Sequence, residues 1–394
     1  MPHPRPSWAY SLPVALALMA PFDLLASLAM DIYLPVVPTM PAALATTPGL
    51  IQLTLSLYLL GLGLGQVLFG PISDRIGRRP VLLGGALLFA TASALMACTD
   101  SAIAFVTLRI VQALGASATL VATFATVRDV YGDRPDSAVI YGMFSSMLAF
   151  VPALAPILGA LIATRFGWRG VFWILSILTL PALIHAALRW HETRPEISAE
   201  GLSSRPILRS RPFWLYTLAF GAAMGAFFVF FSIAPRVLIE QAGYSQLEFS
   251  LLFATVALVM VLTARFAKRF VIRWGVDKSV RRGMALLLAG AAVLATMRTW
   301  AEPGFVSLIL PMWIMAVGIV FTVSVTANGA LAAFGDRAGL AVAIYFCGQS
   351  VIVSVLGTAA VLTLGGDTTL PLVVFPAVLA TAVLIAMRPR PADR

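Results

Sequence analysis

The chain has 394 residues, of which 60% are hydrophobic and 11% are charged, and its formal net charge is +10. Soluble domains average about 45–50% apolar and about 25% charged residues, so this composition excludes an ordinary soluble protein. Apolar runs of about 18 residues or more recur along the chain, and each can cross a hydrocarbon core of about 30 Å as a helix. We therefore expect an all-α polytopic membrane protein embedded in the lipid bilayer.

The positive charge has a membrane explanation. If both termini are cytoplasmic, four Arg residues fall in outer loops and one falls in a span, which leaves 22 of the 27 Lys and Arg residues on the cytoplasmic side. This asymmetry is the positive-inside pattern of membrane proteins. It predicts that both termini are cytoplasmic, and it argues against nucleic-acid binding because no aromatic residues interleave with the basic loops.

We expect no metal and no cofactor. The two cysteines, Cys98 and Cys347, lie in separate predicted spans and suggest neither a disulfide framework nor a metal cluster. The pair His191-Glu192 lacks a second His four residues on, so it does not form the helical zinc-binding motif of metalloproteases.

The hydropathy pattern predicts twelve spans in two groups of six. A polar segment, 191–212, contains charges of both signs, Pro and Ser, and we expect it to be a cytoplasmic linker between an N-terminal bundle (1–190) and a C-terminal bundle (213–394). This 6+6 arrangement suggests a cavity between the bundles. The predicted spans are 12–36, 50–70, 80–98, 102–127, 138–163, 168–190, 213–235, 246–264, 283–300, 304–327, 338–363 and 369–387.

The first span contains two acids, Asp23 and Asp31. A charge at mid-bilayer costs about 3 kcal/mol on insertion scales, so such a residue is expected to be paired or used. Asp31 begins the run D-I-Y-L-P-V-V-P, which includes Tyr33 and in which two prolines end the helix. Asp31 is expected nearer the outer mouth than Asp23; the alternative is a helix stop with an exposed Asp at the headgroups.

The most specific motif follows the second span and reads G-P-I-S-D-R-I-G-R-R. Glycines permit a tight turn and close approach, and arginines stay at the anionic inner leaflet. We expect a cytoplasmic gating loop, for which the alternative is a simple basic hairpin anchor. A second basic loop at 265–282 suggests an internal repeat, although positive-inside bias alone also explains it. The proposed gating residues are Gly70, Asp74, Arg75, Gly77, Arg78 and Arg79, with Arg128 and Asp129 at the end of span four as candidate partners of Asp74.

Span four carries Arg109, Gln112 and Gly115 at steps of three, which place them on one helix stripe. Gly115 lets a neighbouring helix approach closely. Counting at 1.5 Å per residue places both Asp23 and Arg109 near the midplane, so Arg109 is the expected partner of Asp23. The alternative is a structural Arg that binds backbone carbonyl groups.

Span five contains Gly142, Pro152, Pro156 and Gly159. Small residues at intervals permit tight helix packing, and prolines bend the helix. Further along, the cluster of Phe residues in span seven is expected to be core or lipid-facing, with one or two rings lining a cavity. Polar residues in the second half either bond between helices or contact a ligand. The candidate cavity residues are Tyr33, Gln112, Phe231, Asn328, Tyr345 and Gln349.

These motifs together resemble the major facilitator superfamily. The loop after span two fits the superfamily's G-x-x-x-D-R-x-G-R-[RK] signature, and Arg109-x-x-Gln112 resembles its R-x-x-Q-G motif with the glycine displaced by two positions. The run that starts at Asp31 resembles the D-x-Y-L-P-x-x-P signature of the Bcr/CflA drug-resistance subfamily. Span five resembles the antiporter motif, with three of its glycines replaced.

The resemblance is closest to exporters of chloramphenicol and florfenicol, through the stretches 21–31 and 123–129. It implies a monomeric drug:proton antiporter of a bacterial inner membrane, with alternating access and a small-molecule drug and protons as partners. Asp23, Arg109 and Asp31 are then the expected proton-coupling residues.

Two alternatives remain. One is a proton-coupled transporter of another small neutral or amphipathic metabolite, which the altered span-five motif leaves open. The other is an intramembrane enzyme with a two-Asp dyad. Because Asp23 and Asp31 lie on one helix, they do not fit a dyad on separate spans, and we do not expect an enzyme.

Overall fold

The computed structural model describes residues 8, 10–131, 136–194, 204–334 and 338–388. The chain forms two compact units, Met1–Glu200 and Gly201–Arg394. The boundary falls inside the segment 191–212 that we expected as a linker, of which 195–203 lie outside the described residues. The described residues form helices joined by short turns and contain no strand, as the all-α prediction requires.

The first unit is built from long apolar helices whose ends coincide with turn residues. After the first of them the chain continues as a 3-10 helix, Leu34–Thr39, where the prolines of the D-x-Y-L-P run interrupt the α-helical hydrogen bonds. A single residue, Gly77, separates the second helix from the third. The helices are α1 (Leu12–Asp31), α2 (Pro48–Ile76), α3 (Arg78–Cys98), α4 (Ala102–Tyr131) and α5 (Asp136–Arg189).

The second unit begins with a short helical turn, Arg205–Leu208, inside the segment expected as a linker. Three of its long helices are continued or preceded by π-helical turns, Arg236–Gln241, Phe305–Ile309 and Ile352–Leu356. The helices are α6 (Arg211–Pro235), α7 (Gln246–Trp300), α8 (Leu310–Leu331), α9 (Ala338–Val351), α10 (Gly357–Leu364) and α11 (Leu370–Ala386).

Among the described residues, nine helices are long and apolar enough to cross a membrane, and Leu370–Ala386 is a shorter apolar helix. Two of the nine, within α5 and α7, are about 80 Å long at 1.5 Å per residue, which far exceeds one hydrocarbon core. Each is interrupted at a glycine with positive φ, Gly167 (65°) and Gly275 (74°). Dividing these two helices at the glycines and adding the shorter helix Leu370–Ala386 gives twelve apolar segments, the number that the sequence predicts. That all twelve cross the membrane remains a prediction.

One prediction about the second unit is wrong. The basic segment 265–282 is not an extended loop, because α7 runs through it and departs from helical geometry only at Gly275. Arg and Lys are good helix formers and extend their charged ends into water, so the helix does not need to stop where the apolar sequence stops. The turn consists of a single residue in a conformation that favours glycine.

Each unit contains the same kind of helix crossing, which supports the internal repeat. In the first unit, α3 and α4 cross at Gly85 and Gly115, and a Cβ on Gly115 would lie 2.7 Å from the Gly85 carbonyl oxygen. In the second unit, Gly318 of α8 meets Gly283 of α7 in the same way, at 2.6 Å. Gly85 lies eight positions after Gly77, which precedes α3, and Gly283 lies eight positions after Gly275, where α7 is interrupted. Only glycine permits backbones to approach this closely.

A buried aromatic cluster closes one end of the first unit. Trp8, 3% exposed, donates its indole N–H to the hydroxyl of Tyr131 at 3.1 Å and packs edge-on against Trp190, with ring centroids 5.2 Å apart. Trp190 in turn contacts Phe22 of α1. The cluster therefore joins the chain start to the ends of α4 and α5 and to the middle of α1.

Candidate functional site

The Arg109 side chain is fully buried, at 0% exposure, in the middle of the first unit. Its Nη2 donates to the carbonyl oxygen of Ala29 on α1 at 2.9 Å, and its Nη1 donates to Oε1 of Gln112 at 2.5 Å. Gln112 then donates to Ser93 of α3 at 2.7 Å. Two residues of the predicted stripe on α4, Arg109 and Gln112, thus form a hydrogen-bonded chain that links three helices.

Two tyrosines hold the flat faces of the guanidinium. Its central carbon lies 4.1 Å from the ring centroid of Tyr58 and 4.5 Å from that of Tyr33. Tyr58 donates to the carbonyl oxygen of Ala26 at 2.6 Å, and the Tyr33 hydroxyl is hydrogen-bonded to Thr54 at 2.8 Å. Cation–π contacts of this kind strengthen when the pair is removed from water. The positive charge of Arg109, which has no carboxylate partner among the described residues, is therefore stabilised by the two tyrosine rings and by the Ala29 carbonyl oxygen.

The predicted pairing of Asp23 with Arg109 is wrong for this structure. Asp23 is 3% exposed, and among the described residues it makes no ion pair and its Oδ2 has no hydrogen-bond partner. The guanidinium instead reaches Ala29, which lies about 9 Å further along α1 at 1.5 Å per residue. The estimated depths of Asp23 and Arg109 were counted from the predicted ends of two different helices. The sequence does not specify how far one helix is shifted along the other, so equal depths did not place the two residues in contact.

Asp31 lies two residues after Ala29, whose carbonyl oxygen binds Arg109, whereas Asp23 lies six residues before Ala29. Asp31 is buried at the end of α1. The alternative of an Asp exposed among headgroups therefore does not hold. The alternative of an arginine that binds a backbone carbonyl describes what Arg109 does in this conformation.

The residues of the predicted antiporter motif lie in the first half of α5. Gly159 touches the end of α1, because the carbonyl oxygen of Ile32 occupies the space that a Cβ would need. Pro152 and Pro156 are inside the helix, whereas Gly142 has open space around it. The motif thus brings α5 directly against the residue between Asp31 and Tyr33, and only Gly159 is required for that contact.

The signature loop forms a charged cluster of its own around Arg78, which is buried. Its Nη1 donates to Asp74 at 2.5 Å, and its Nε donates to Asp129 at 2.8 Å, so the guanidinium bridges α2 and α4. Arg128 lies 3.4 Å from the same Asp129. The expected partner of Asp74 was Arg128 or Asp129; instead Arg78 is its partner and connects it to Asp129.

The two loop glycines differ. Gly77 has φ of 109°, a region that L side chains rarely adopt, and it separates α2 from α3 by one residue. Gly70 has no atom within 4 Å of a Cβ position, so the close approach expected there is absent within this unit. Arg75 accepts a hydrogen bond at its carbonyl oxygen from Arg194, and Arg79 donates to the Ala187 carbonyl oxygen at 2.8 Å.

The family model described as Major Facilitator Superfamily matches residues 22–388. The chain belongs to the Major Facilitator Superfamily. It is therefore a multi-pass membrane transporter with an all-α fold and not an enzyme, and both the Arg109 site and the Arg78 cluster lie within the matched region.

Similar proteins in this superfamily carry drug-resistance names. The chain is 51% identical over 381 residues to a chloramphenicol resistance protein of Pseudomonas aeruginosa, covering 96% of this chain and 91% of that protein. It is 28% identical over 317 residues to the multidrug resistance protein MdtL of Shigella dysenteriae, covering 79% of each. The MdtL of Escherichia coli O157:H7 is 27% identical over 314 residues, again 79% of each.

The remaining cavity candidates of this superfamily member are mostly packed. Phe231 is buried within a cluster of Phe rings, as the core interpretation predicted, and Tyr345 is buried and donates to Thr326 at 3.0 Å. Gln349 is half-buried and donates to Ser350, and Asn328 is exposed. Tyr33 and Gln112 use their polar groups within the Arg109 site. In this conformation, Asn328 is the candidate with an open side chain.

Sequence reasoning missed three residues that complete these sites. The sequence makes Tyr58 and Ser93 look like ordinary members of apolar spans. In the structure, the Tyr58 ring lies against Arg109, and the Ser93 hydroxyl accepts a hydrogen bond from Gln112. Glu192 was assigned to the linker, yet its carboxylate binds the backbone at the start of α3. The signal available in the sequence was the position of this acidic residue, directly after an apolar span and before basic residues.

Proposed function

We propose that this protein is an efflux transporter of a bacterial inner membrane that exports phenicols, such as chloramphenicol and florfenicol, in exchange for protons. The main support for this proposal is the 51% identity to a chloramphenicol resistance protein over nearly the full length of both chains. A site suited to coupling supports this proposal. It is a buried arginine, Arg109, in the same unit as two buried carboxyl groups that form no ion pair with it.

Asp23 is the proposed proton carrier. Asp23 is buried, and its Oδ2 atom has no hydrogen-bond partner among the described residues. Because an ionised carboxylate that is buried without a partner costs several kcal/mol, we infer that Asp23 takes up a proton in this conformation. It releases the proton when water or the cation at Arg109 reaches it in another conformation. Asp31, which is buried two residues after the carbonyl group that binds Arg109, is the second candidate in this exchange. The inward movement of protons supplies the free energy for drug export. One proton yields about 2.3 kcal/mol per 100 mV of membrane potential and about 1.4 kcal/mol per pH unit of gradient.

The signature loop is the proposed cytoplasmic gate. Arg78 holds Asp74 and Asp129 together, and we infer that these two charge-assisted contacts rearrange when this side opens. Twelve spans, both termini in the cytoplasm, a linker at 191–212 and a monomeric state complete the proposal. The positive-inside bias of the sequence supports this orientation.

Transport by everted membrane vesicles tests the proposal directly. Vesicles that contain the protein are expected to accumulate radiolabelled chloramphenicol when a proton gradient is imposed and to lose it when a protonophore is added. Vesicles from cells without the protein are the control. Accumulation that is independent of the gradient would refute proton exchange, and accumulation of other metabolites but no phenicol would favour the alternative transporter.

A further inference from the structure

The residues that follow α5 fold back onto the signature loop. The Glu192 carboxylate accepts four backbone N–H groups. It binds Arg78 at 2.8 Å and Arg79 at 3.1 Å across the chain, and Thr193 at 3.0 Å and Arg194 at 2.9 Å within its own turn. The first two are among the N–H groups that a helix leaves unsatisfied at its start. A residue outside α3 therefore acts as its N-terminal cap.

The local geometry leaves space for this carboxylate. A Cβ on Gly77 would collide with Oε2 of Glu192, so the glycine of the signature is needed for the cap as well as for the turn. Nearby, the side chain of Arg194 donates to the carbonyl oxygen of Arg75. Thr193 donates to Thr126 of α4 at 3.3 Å. The cap is thus one of several contacts between this segment and the ends of α2 and α4.

Electrostatics favours the charged form of Glu192. Burial raises the pKa of its carboxyl group, but the four backbone hydrogen bonds outweigh burial and hold the pKa below the usual value of 4.5. A negative charge is also favourable at a helix N-terminus, where the helix dipole is positive. Glu192 is therefore ionised at neutral pH and bound to the residues that begin α3.

Arg78 connects this cap to the gate. Its backbone N–H is bound by Glu192, and its side chain bridges Asp74 and Asp129. We propose that Glu192 is a positioning residue of the gate, which holds the first turn of α3 so that the Arg78 guanidinium reaches both carboxylates. The role in transport rests on the proposed function. The end of the first unit is thereby part of the gate and not a free linker.

Hydrogen exchange tests the cap without any transport assay. In Glu192→Gln, the amide protons of Arg78 and Arg79 are expected to exchange at least tenfold faster than in the wild type. The matched control is Glu248→Gln, which removes a carboxylate that accepts a backbone N–H at the start of α7. That control is expected to leave Arg78 and Arg79 unchanged. Glu192→Asp, which shortens the side chain, is expected to lose protection too and serves if the Gln variant does not fold. Unchanged exchange in these variants would overturn the proposal.

A double-mutant cycle tests the positioning role in transport. Glu192→Gln is expected to lower the maximal rate of chloramphenicol efflux about tenfold and to leave the KM within twofold. In an Arg78→Ala background, where the bridge is already absent, Glu192→Gln is expected to cause no further loss. Additive losses would show that Glu192 acts independently of Arg78 and would overturn the proposal. Absence of phenicol efflux in the wild type would refute the proposed function, and the exchange experiment would still decide whether the cap exists.

Discussion

Arg109 donates a hydrogen bond to the carbonyl oxygen of Ala29 at 2.9 Å, six positions past Asp23 on the same helix. The guanidinium therefore lies nearer to the Asp31 end of α1 than to Asp23. The guanidinium is held by a carbonyl group, a glutamine and two rings, and we propose that it exchanges these partners for a carboxylate during transport. This arrangement gives Asp23 and Arg109 separate environments in one conformation, which a proton-coupled mechanism requires.

Arg109→Lys is expected to reduce proton-driven efflux at least tenfold. Lysine keeps the charge, but it lacks the planar fork that donates to Ala29 and Gln112 together and stacks between rings. Initial rates in everted vesicles measure the effect. Arg298→Lys, at an exposed arginine, is the control and should retain full activity. A fully active Arg109→Lys would show that the paired geometry is unnecessary.

Asp23→Asn is expected to abolish gradient-driven accumulation of chloramphenicol while expression stays normal. The amide is similar in shape but carries no exchangeable charge, so the coupling step fails. The control is Asp100→Asn at an exposed aspartate that pairs with Arg169. Antibiotic resistance and vesicle uptake are measured together; resistance at the wild-type level in Asp23→Asn would disprove the assignment of this residue as proton carrier.

Two substitutions of Tyr58 separate its ring from its hydroxyl. Tyr58→Phe keeps the ring under Arg109 and loses the hydrogen bond to Ala26, which costs about 1 kcal/mol. Tyr58→Ala removes the ring as well and is expected to cost about 3–5 kcal/mol. Unfolding in detergent measures both values. Equal destabilisation by the two variants would contradict a role for the ring face.

Trp8→Ala is expected to destabilise the protein by about 3–5 kcal/mol, because it empties a buried site between Tyr131 and Trp190. The thermal unfolding midpoint in detergent should fall clearly. Trp300→Ala, at a tryptophan that is 89% exposed, is the matched control and should change it little. If the two variants unfold alike, the chain start does not brace the first unit.

The contribution of Glu192 to stability is expected to depend on pH in acid only. Its folded-state pKa is depressed below 4.5, so the stabilisation is fully present above pH of about 4.5 and is lost as the pH falls through the folded value. The difference in unfolding midpoint between wild type and Glu192→Gln should therefore be constant from pH 8 to pH 5 and shrink below about pH 4.5. A difference that grows in acid would have the wrong sign.

The features that follow from local chemistry could be predicted from the sequence. Hydropathy and charge predicted a polytopic helical protein. The loop signature predicted that Asp74 and Asp129 belong to one charged site, but it assigned Arg78 to the inner leaflet and not to the contact between them. The stripe of Arg109 and Gln112 also followed, because helical spacing alone places residues three apart on one face. The positions of single glycines were harder to interpret, since Gly77 and Gly159 are essential to a contact whereas Gly70 and Gly142 have open space around them.

Partnerships between helices could not be predicted in this way. The rise of 1.5 Å per residue determines depth along one helix, but the offset between two helices depends on where their backbones cross. In this protein the crossings occur at Gly85 with Gly115 and at Gly159 with Ile32.

The sequence by itself determined that two carboxylates and an arginine would be buried in one membrane bundle, because apolar spans leave them no exit to water. Only the tertiary structure decided that Arg109 meets Ala29 and two tyrosines instead of Asp23, and that Glu192 caps α3. The physical reason is that the burial of a residue depends on its own apolar span. A contact between two residues depends also on how far one helix is shifted along another, and the close packing of helices at glycines determines that shift.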